Sequence, residues 1–282
     1  MILDSIVVCT RVAGLPISDS GDFQVISSRA PTGVYSQGVK LPGNRMRLDK
    51  YLCESTDLTR SQARTVLMSG EVTVNGEVIK RGTHVVQEGD EVQWEGETIG
   101  LIGLRYIMLN KPAGYECSIR SSQYPPVMDL LDVDKRERLH TVGRLDVDTT
   151  GLILITDDGQ WTHRIISPRH RCDKVYLATL AEPLPDNAEA QFAAGILLDG
   201  EEKSTLPAVL ERVDERTARL TIQEGKYHQV RRMFASLGNH VLALHRERIG
   251  SLSLDADLEP GESRYLTPAE VAELAQASDG TV

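Results

Sequence analysis

Cysteine is scarce in this 282-residue chain, and its placement supports little chemistry. The four, Cys9, Cys53, Cys117 and Cys172, lie far apart with no paired spacing. That argues against both a disulfide framework and a zinc knuckle. No H-E-x-x-H run is present, and no apolar stretch approaches the roughly 18 residues needed to cross a bilayer. Met1 to Cys9 carry Asp4 inside the apolar stretch and no basic run ahead of it, unlike a secretory leader. The chain is therefore expected in the cytoplasm, away from membranes, with no metal. Positive charge is also short: 31 Lys and Arg stand against 41 Asp and Glu, a formal net charge of −10. As a global figure this disfavours a nucleic-acid partner. Its distribution weakens that inference, because from Ser253 to Val282 seven acids face Arg264 alone. Phosphate contact depends on local clusters, since charges are screened beyond about 10 Å.

What is present is ordinary for a globular protein: 40% hydrophobic and 26% charged residues. The length suggests two domains, or one with appendages. Residues 1–45 are rich in Ser, Gly and Pro and lack periodicity, so they read as a flexible leader or an extended start, with Met46 favoured as the natural beginning. Residues 46–100 read as a small α/β module. Leu48, Tyr51 and Leu52 fall at helical spacing, and Thr59-Arg60-Ser61-Gln62 is a capping box for a second helix ending at Ser69-Gly70. Val72-Thr73-Val74, Asn75-Gly76 and Glu77-Val78-Ile79 form a hairpin signal with a type I′ turn. A further strand follows at Glu91–Trp94, and Glu95–Gly103, with three glycines, reads as a linker.

From Arg105 to Thr267 the pattern predicts strands at Tyr106–Asn110, Leu152–Thr156, Lys174–Leu180, Ala208–Val213, Arg219–Gln223 and Val241–His245. Helices are expected at Gly159–Ile166, Asp186–Ala194 and His228–Leu237. A last helix, capped by Thr267 with Pro268 at its first position and Glu270 closing the box, leads into an acidic tail over 268–282. Several inter-strand turns are too short for crossover helices. The expected fold class is α+β, with a mixed, mainly antiparallel sheet and flanking helices.

Four windows carry candidate chemistry. The first lies in the small module, where Arg47, Lys50, Arg60 and Arg64 sit on helices and Lys80 and Arg81 follow the hairpin. Arg60 and Arg64 share a helical face, which suits phosphate contacts that position without reading sequence. The competing reading is a solvated surface, since six basic residues face ten acids from Met46 to Leu104. The second is Gly143-Arg144-Leu145-Asp146-Val147-Asp148-Thr149-Thr150-Gly151-Leu152, an acid on a tight turn at the mouth of an apolar strand. With Asp148 and Asp157-Asp158 nearby, a metal site or a two-carboxylate hydrolase must be weighed. Against both, Asp157-Asp158-Gly159 falls where a strand must turn into a helix. The third is the basic window around Arg169, Arg171 and Lys174, with Tyr176 opening a strand, able either to pack in the sheet or to stack on an unstacked base. The fourth is Glu224-Gly225-Lys226-Tyr227-His228-Gln229-Val230-Arg231-Arg232-Met233. Here Arg231 can point inward, and a buried guanidinium needs a partner, for which Asp146 is the expected one. His245-Arg246-Glu247-Arg248 reads as additional basic surface.

The order helix, capped helix, V-x-V-N-G hairpin resembles the S4 RNA-binding domain. Behind it, G-R-L-D-x-D-T-T-G-L, K-x-Y and E-G-K-Y-H-Q-V-R-R-M, in that order, resemble the pseudouridine synthases of the small-subunit rRNA type. The likeness runs from Met46 to about Thr267, and Tyr106-Ile107-Met108-Leu109-Asn110-Lys111-Pro112 and Asp158-Gly159-Gln160-Trp161 add to it. The acid surplus of the small module is a departure. The resemblance implies a catalytic Asp146, Tyr176 against the target base, and Arg231 paired with the aspartate. It implies RNA contacts from Arg47, Lys50, Arg60, Arg64, Lys80, Arg81, Arg144, Arg169, Arg171, Lys174, Lys226, His228, Gln229 and Arg232. It implies a monomer acting on 16S rRNA, at uridine 516, within an assembling small subunit. No cofactor is implied, because isomerising uridine involves no redox change and no outside group. The alternatives are a 23S rRNA target, or a non-catalytic RNA-binding assembly factor.

Overall fold

Hydrophobic alternation and turn chemistry sort the chain into separate cores in the computed structural model, which describes residues 45–118 and 123–277. The expected leader, apart from Arg45, and the end of the acidic tail lie outside the described residues.

The first body begins one residue before Met46, with strand β1 (Arg45–Arg47), followed by α1 (Leu48–Ser55) and α2 (Arg60–Ser69). Thr59 caps α2 as its spacing requires: its side chain accepts from Gln62 N–H, and the Gln62 side-chain oxygen accepts in return from Thr59 N–H. Gly70, at φ +83, ends that helix in the left-handed region. The hairpin of β2 (Val72–Val74) and β3 (Glu77–Val78) turns through Asn75 and Gly76, both with positive φ, as a type I′ turn demands. A strand not expected from sequence, β4 (Val85–Gln87), pairs antiparallel with β1. The supposed linker also carries structure. After β5 (Val92–Trp94) comes β6 (Glu97–Ile99), paired with it, and Leu101 is buried in the first core with Leu48, Leu52, Leu67 and Val72. Glycine at Gly96 makes the turn between these strands look like a break in the sequence; it is a hairpin.

The second body is built on nine described strands in one sheet. Its path runs β11 (Val209–Arg212), β12 (Thr217–Ile222), β10 (Lys174–Leu180), β13 (Val241–Ile249), β9 (Thr150–Thr156), β7 (Tyr106–Lys111) and β15 (Ser263–Tyr265). Short β8 (His140–Thr141) and β14 (Leu252–Ser253) pair off that path, beside β9 and β13. All pairings are antiparallel except β9 with β13, which run parallel. This is the expected mixed, mainly antiparallel α+β sheet. Helices α3 (Gly159–Ile166), α4 (Ala188–Ala194), α5 (Gln229–Ser236) and α6 (Pro268–Ala277) flank it. One face covers a core that includes Ile107, Ile153, Phe192, Leu220 and Phe234. The other packs Met108, Leu154, Trp161 and Leu274.

The pair Asp157-Asp158 has the structural role its position suggested. Asp157 accepts from the Arg105 backbone at 2.7 Å and from Arg105 Nε at 3.0 Å, with both side chains 3% exposed. The same guanidinium reaches the carbonyls of Asp134 and Lys135, so this buried ion pair is saturated. Asp158 caps α3 through Gln160 and Trp161 N–H and accepts from the Tyr106 hydroxyl. Near that junction Lys135 Nζ donates to the Cys53 carbonyl at 2.7 Å, and Arg138 meets Glu54 at 3.3 Å, tying α1 to the sheet body.

Candidate active site

The parallel meeting of β9 and β13 creates the notch in which the site sits. Gly151 lies there at φ +99, and a Cβ on it would collide with the backbone of Arg246. No side chain fits, which explains the glycine closing the D-x-D-T-T-G segment. The loop ahead of it, carrying Asp146, is held from beneath by Lys111, the last residue of β7. Lys111 is fully buried, and its ammonium donates to the carbonyls of Pro112, Asp146, Val147 and Thr149, at 2.9 to 3.1 Å. Burial holds its pKa below the usual lysine value, with the nearby acids acting in the opposite sense. Gly114 N–H adds a bond to the Val147 carbonyl. The turn is thus fixed by backbone bonds, leaving the Asp146 carboxylate one-third exposed at the mouth.

Asp146, Tyr176 and Arg231 line one cleft of about 90 Å³, together with Arg144, His228 and Leu244. That volume admits several waters or one planar ring. Tyr176 is 8% exposed, and its hydroxyl accepts a long bond, 3.4 Å, from Arg246 Nη1, whose guanidinium lies 5.9 Å from the ring centroid. Arg246 also donates from Nε to the Leu152 carbonyl at 2.7 Å, while its Nη2 has no partner among the described residues.

The expected pairing of Arg231 with Asp146 is corrected. Arg231 Nη2 meets Asp148 at 2.8 Å and its Nη1 donates to the Val241 carbonyl at 3.0 Å. Asp146 instead faces His228, whose Nε2 lies 3.4 Å from Oδ1. Helical spacing places Arg231 on the right side of its helix but cannot choose between two acids two residues apart.

The residues expected to touch RNA divide into groups. Arg144 and His228 are exposed at the cleft, and Arg60, Arg64, Lys50, Lys80 and Arg81 are exposed on the first body. Lys80 and Arg81 also line a larger groove of about 540 Å³ with Thr83 and His84. That groove shares no residue with the carboxylate cleft. Arg169 and Arg171 are exposed in the turn after α3. Arg47 is bound by Asp49 at 2.7 Å. Lys226 and Arg232 both pair with Glu201, at 2.8 and 3.2 Å. Lys174 turns back to the Cys172 carbonyl, and burial lowers its pKa. Gln229 does not face outward: it is 4% exposed, accepting from Lys226 N–H and donating to Glu224.

Two residues escape sequence reasoning. Lys111 stands at the end of an apolar strand, where a lysine ordinarily reads as solvated, so no local signal marks its burial. Arg246, expected as basic surface, is 2% exposed. Strand alternation carries the clue, since Arg246 shares parity with buried Leu244 on β13.

A mixed sheet with an acid loop, a buried tyrosine and a guanidinium around one small cleft, behind an RNA-binding type of module, defines the class, and comparison specifies it. Residues 105–236 match the family described as RNA pseudouridylate synthase, and residues 46–92 match the S4 domain. A Vibrio parahaemolyticus protein named ribosomal small subunit pseudouridine synthase A is 56% identical over 228 residues, covering 80% of this chain and 98% of that protein. The Escherichia coli K12 protein of the same name is 50% identical, covering 80% and 99%. A solved structure titled as the crystal structure of pseudouridylate synthase, 50% identical, superposes with a TM-score of 0.59 over 81% of this chain and 99% of that one. The chain belongs to the S4-bearing RNA pseudouridine synthases and is an isomerase.

Proposed function

We propose that this protein converts one uridine of small-subunit rRNA to pseudouridine, with uridine 516 of 16S rRNA as the target and an assembling small subunit as the setting. The observation that carries this reading is the cleft shared by Asp146, Tyr176 and Arg231. It is supported by the names of relatives that match four-fifths of the chain at about half identity.

The reaction breaks the N1–C1′ bond, turns the uracil within the site, joins C5 to C1′ and moves the C5 proton to N1. Atoms balance without any other reactant. Asp146 serves as the catalytic carboxylate, by attack on the sugar or the base or by removal of a sugar proton, and each route needs it ionised. Lys111 beneath it holds the loop that presents this carboxylate, through the carbonyls of Asp146, Val147 and Thr149. Tyr176 provides the flat wall against the everted uracil, its hydroxyl anchored by Arg246. Leaving the RNA stack costs a few kcal/mol. Phosphate contacts from Lys80, Arg81, Arg60, Arg64 and Lys50 on the S4 body, and from Arg144 at the cleft, offset it. The protein acts in the cytoplasm as a monomer.

Carbodiimide treatment of rRNA followed by reverse transcription tests this. In a deletion strain one stop disappears; the wild-type gene restores it, and Asp146→Asn, reducing the rate by at least about 10²–10⁴-fold, does not. Restoration by the Asn variant would return the chain to a non-catalytic assembly role, and loss of a 23S rather than a 16S stop would move the target.

A further inference from the structure

Tyr227 is the most open of the exposed large apolar side chains among the described residues, at 74%. A single exposed aromatic needs no explanation by itself. This one, however, is fixed in a particular place. Its ring lies on the imidazole of His228, with centroids 3.8 Å apart and planes 18° from parallel. The other edge of that imidazole reaches Asp146 at 3.4 Å. Carboxylate, imidazole and phenol therefore form a layered series running from the cleft to solvent, with the outer face of the phenol uncovered.

Consecutive side chains in extended backbone point to opposite faces. Tyr227 and His228 stack because His228 adopts φ +47, in the left-handed region, immediately before α5. The segment is braced on both sides. Lys226 is tied to Glu201, Lys226 N–H donates to Gln229, and Arg232 holds the Tyr227 carbonyl at 3.2 Å and Glu201 at 3.2 Å. A surface already ordered in this way loses little freedom on binding.

We propose that the stacked Tyr227–His228 pair is a subsite for a second nucleobase, the one next in the RNA chain to the everted uridine. This rests on the reading that the cleft receives a uridine. A nucleotide evicted beside the target loses its own stacking neighbour, and the free phenol face, one ring layer beyond His228, replaces it. The ligand is an unstacked base of single-stranded RNA. Recognition is by the π face, so any of the four bases is accepted.

The test uses the full chain and the variants Tyr227→Phe and Tyr227→Leu, the second keeping apolar cover without an aromatic face. Tritium release from small-subunit rRNA transcribed with [5-³H]uridine gives KM and kcat. Binding of a decauridylate with 2-aminopurine at its centre gives the stacking signal independently of turnover, as fluorescence quenching. Tyr227→Leu is expected to raise KM about tenfold, the value of one base–aromatic stack, with the loss falling on KM. It should also abolish the quenching, while Tyr227→Phe retains both properties within twofold. Quenching unchanged in Tyr227→Leu, an equal loss in Tyr227→Phe, or a loss confined to kcat would overturn the proposal. Failure of the wild-type protein to release tritium would instead remove the uridine reading, and the quenching would still judge the platform.

Discussion

The sheet body of this protein buries some of its cations as well as exposing others, whereas the S4 body keeps its cations at the surface. On the S4 body the cations Lys50, Arg60, Arg64, Lys80 and Arg81 are exposed. In the sheet body Lys111, Arg105 and Arg246 are 3% exposed or less. Their bonds go inward, to three carbonyls of the Asp146 loop and that of Pro112, to Asp157, and to Leu152 and Tyr176. A guanidinium or ammonium in water is a point of attraction for phosphate, screened by salt and indifferent to sequence. The same group taken out of water turns its donors to nearby carbonyls, carboxylates and hydroxyls, and so it fixes the backbone that surrounds it. Net charge, negative overall, conceals both uses.

That contrast can be broken at several points. Replacing Lys111 with Met should have the largest effect, because it leaves four inward-facing carbonyls without their donor. A loss of roughly 3 kcal/mol or more is expected in urea unfolding, together with near-complete loss of pseudouridine formation. A Lys111→Met protein with the wild-type midpoint and rate would show that the interior cations do not position the loop. The exterior should respond differently. Lys80→Glu with Arg81→Glu is expected to weaken rRNA binding by roughly ten- to hundredfold at moderate salt and to lower the salt slope by about two, leaving the urea midpoint within about 0.5 kcal/mol. An unchanged salt slope would remove these residues from the RNA face.

The half-buried case lies between. Arg264 donates to both oxygens of Glu270, and that guanidinium holds the Glu270 pKa down to about 2 from its usual 4.5. Because the folded-state value is depressed, the stabilisation is complete above pH 4.5 and is lost as pH falls through about 2. Discounted for partial exposure, Arg264→Ala should cost about 1 kcal/mol near neutral pH. The difference from wild type in urea midpoint should narrow across that acid range. A gap constant with pH would mean that Arg264 acts by packing alone.

Much of the fold was legible because its signals are local. The Thr59 capping box, the Asn75-Gly76 turn, the Asp158 cap and the span of β10 each follow from a few adjacent residues, and the structure has them there. The small strands β1, β4, β6 and β15 were not legible, because three-residue pieces owe their existence to a distant partner. The site divides in the same way. The three motif residues line one cleft. Which acid Arg231 takes, where Arg246 points and what Lys111 holds depend on contacts that no local pattern encodes.

By itself the sequence determined the class of protein, the order of its parts and the side chains available for reaction, since periodicity, caps and motif spacing act over short range. Tertiary structure alone decided how those side chains are partnered. Asp146 sits beside His228 rather than Arg231 because β9 and β13 meet in parallel at Gly151 and α5 enters through a left-handed residue. Such pairings depend on ångström distances between segments far apart in the chain, and only packing sets those.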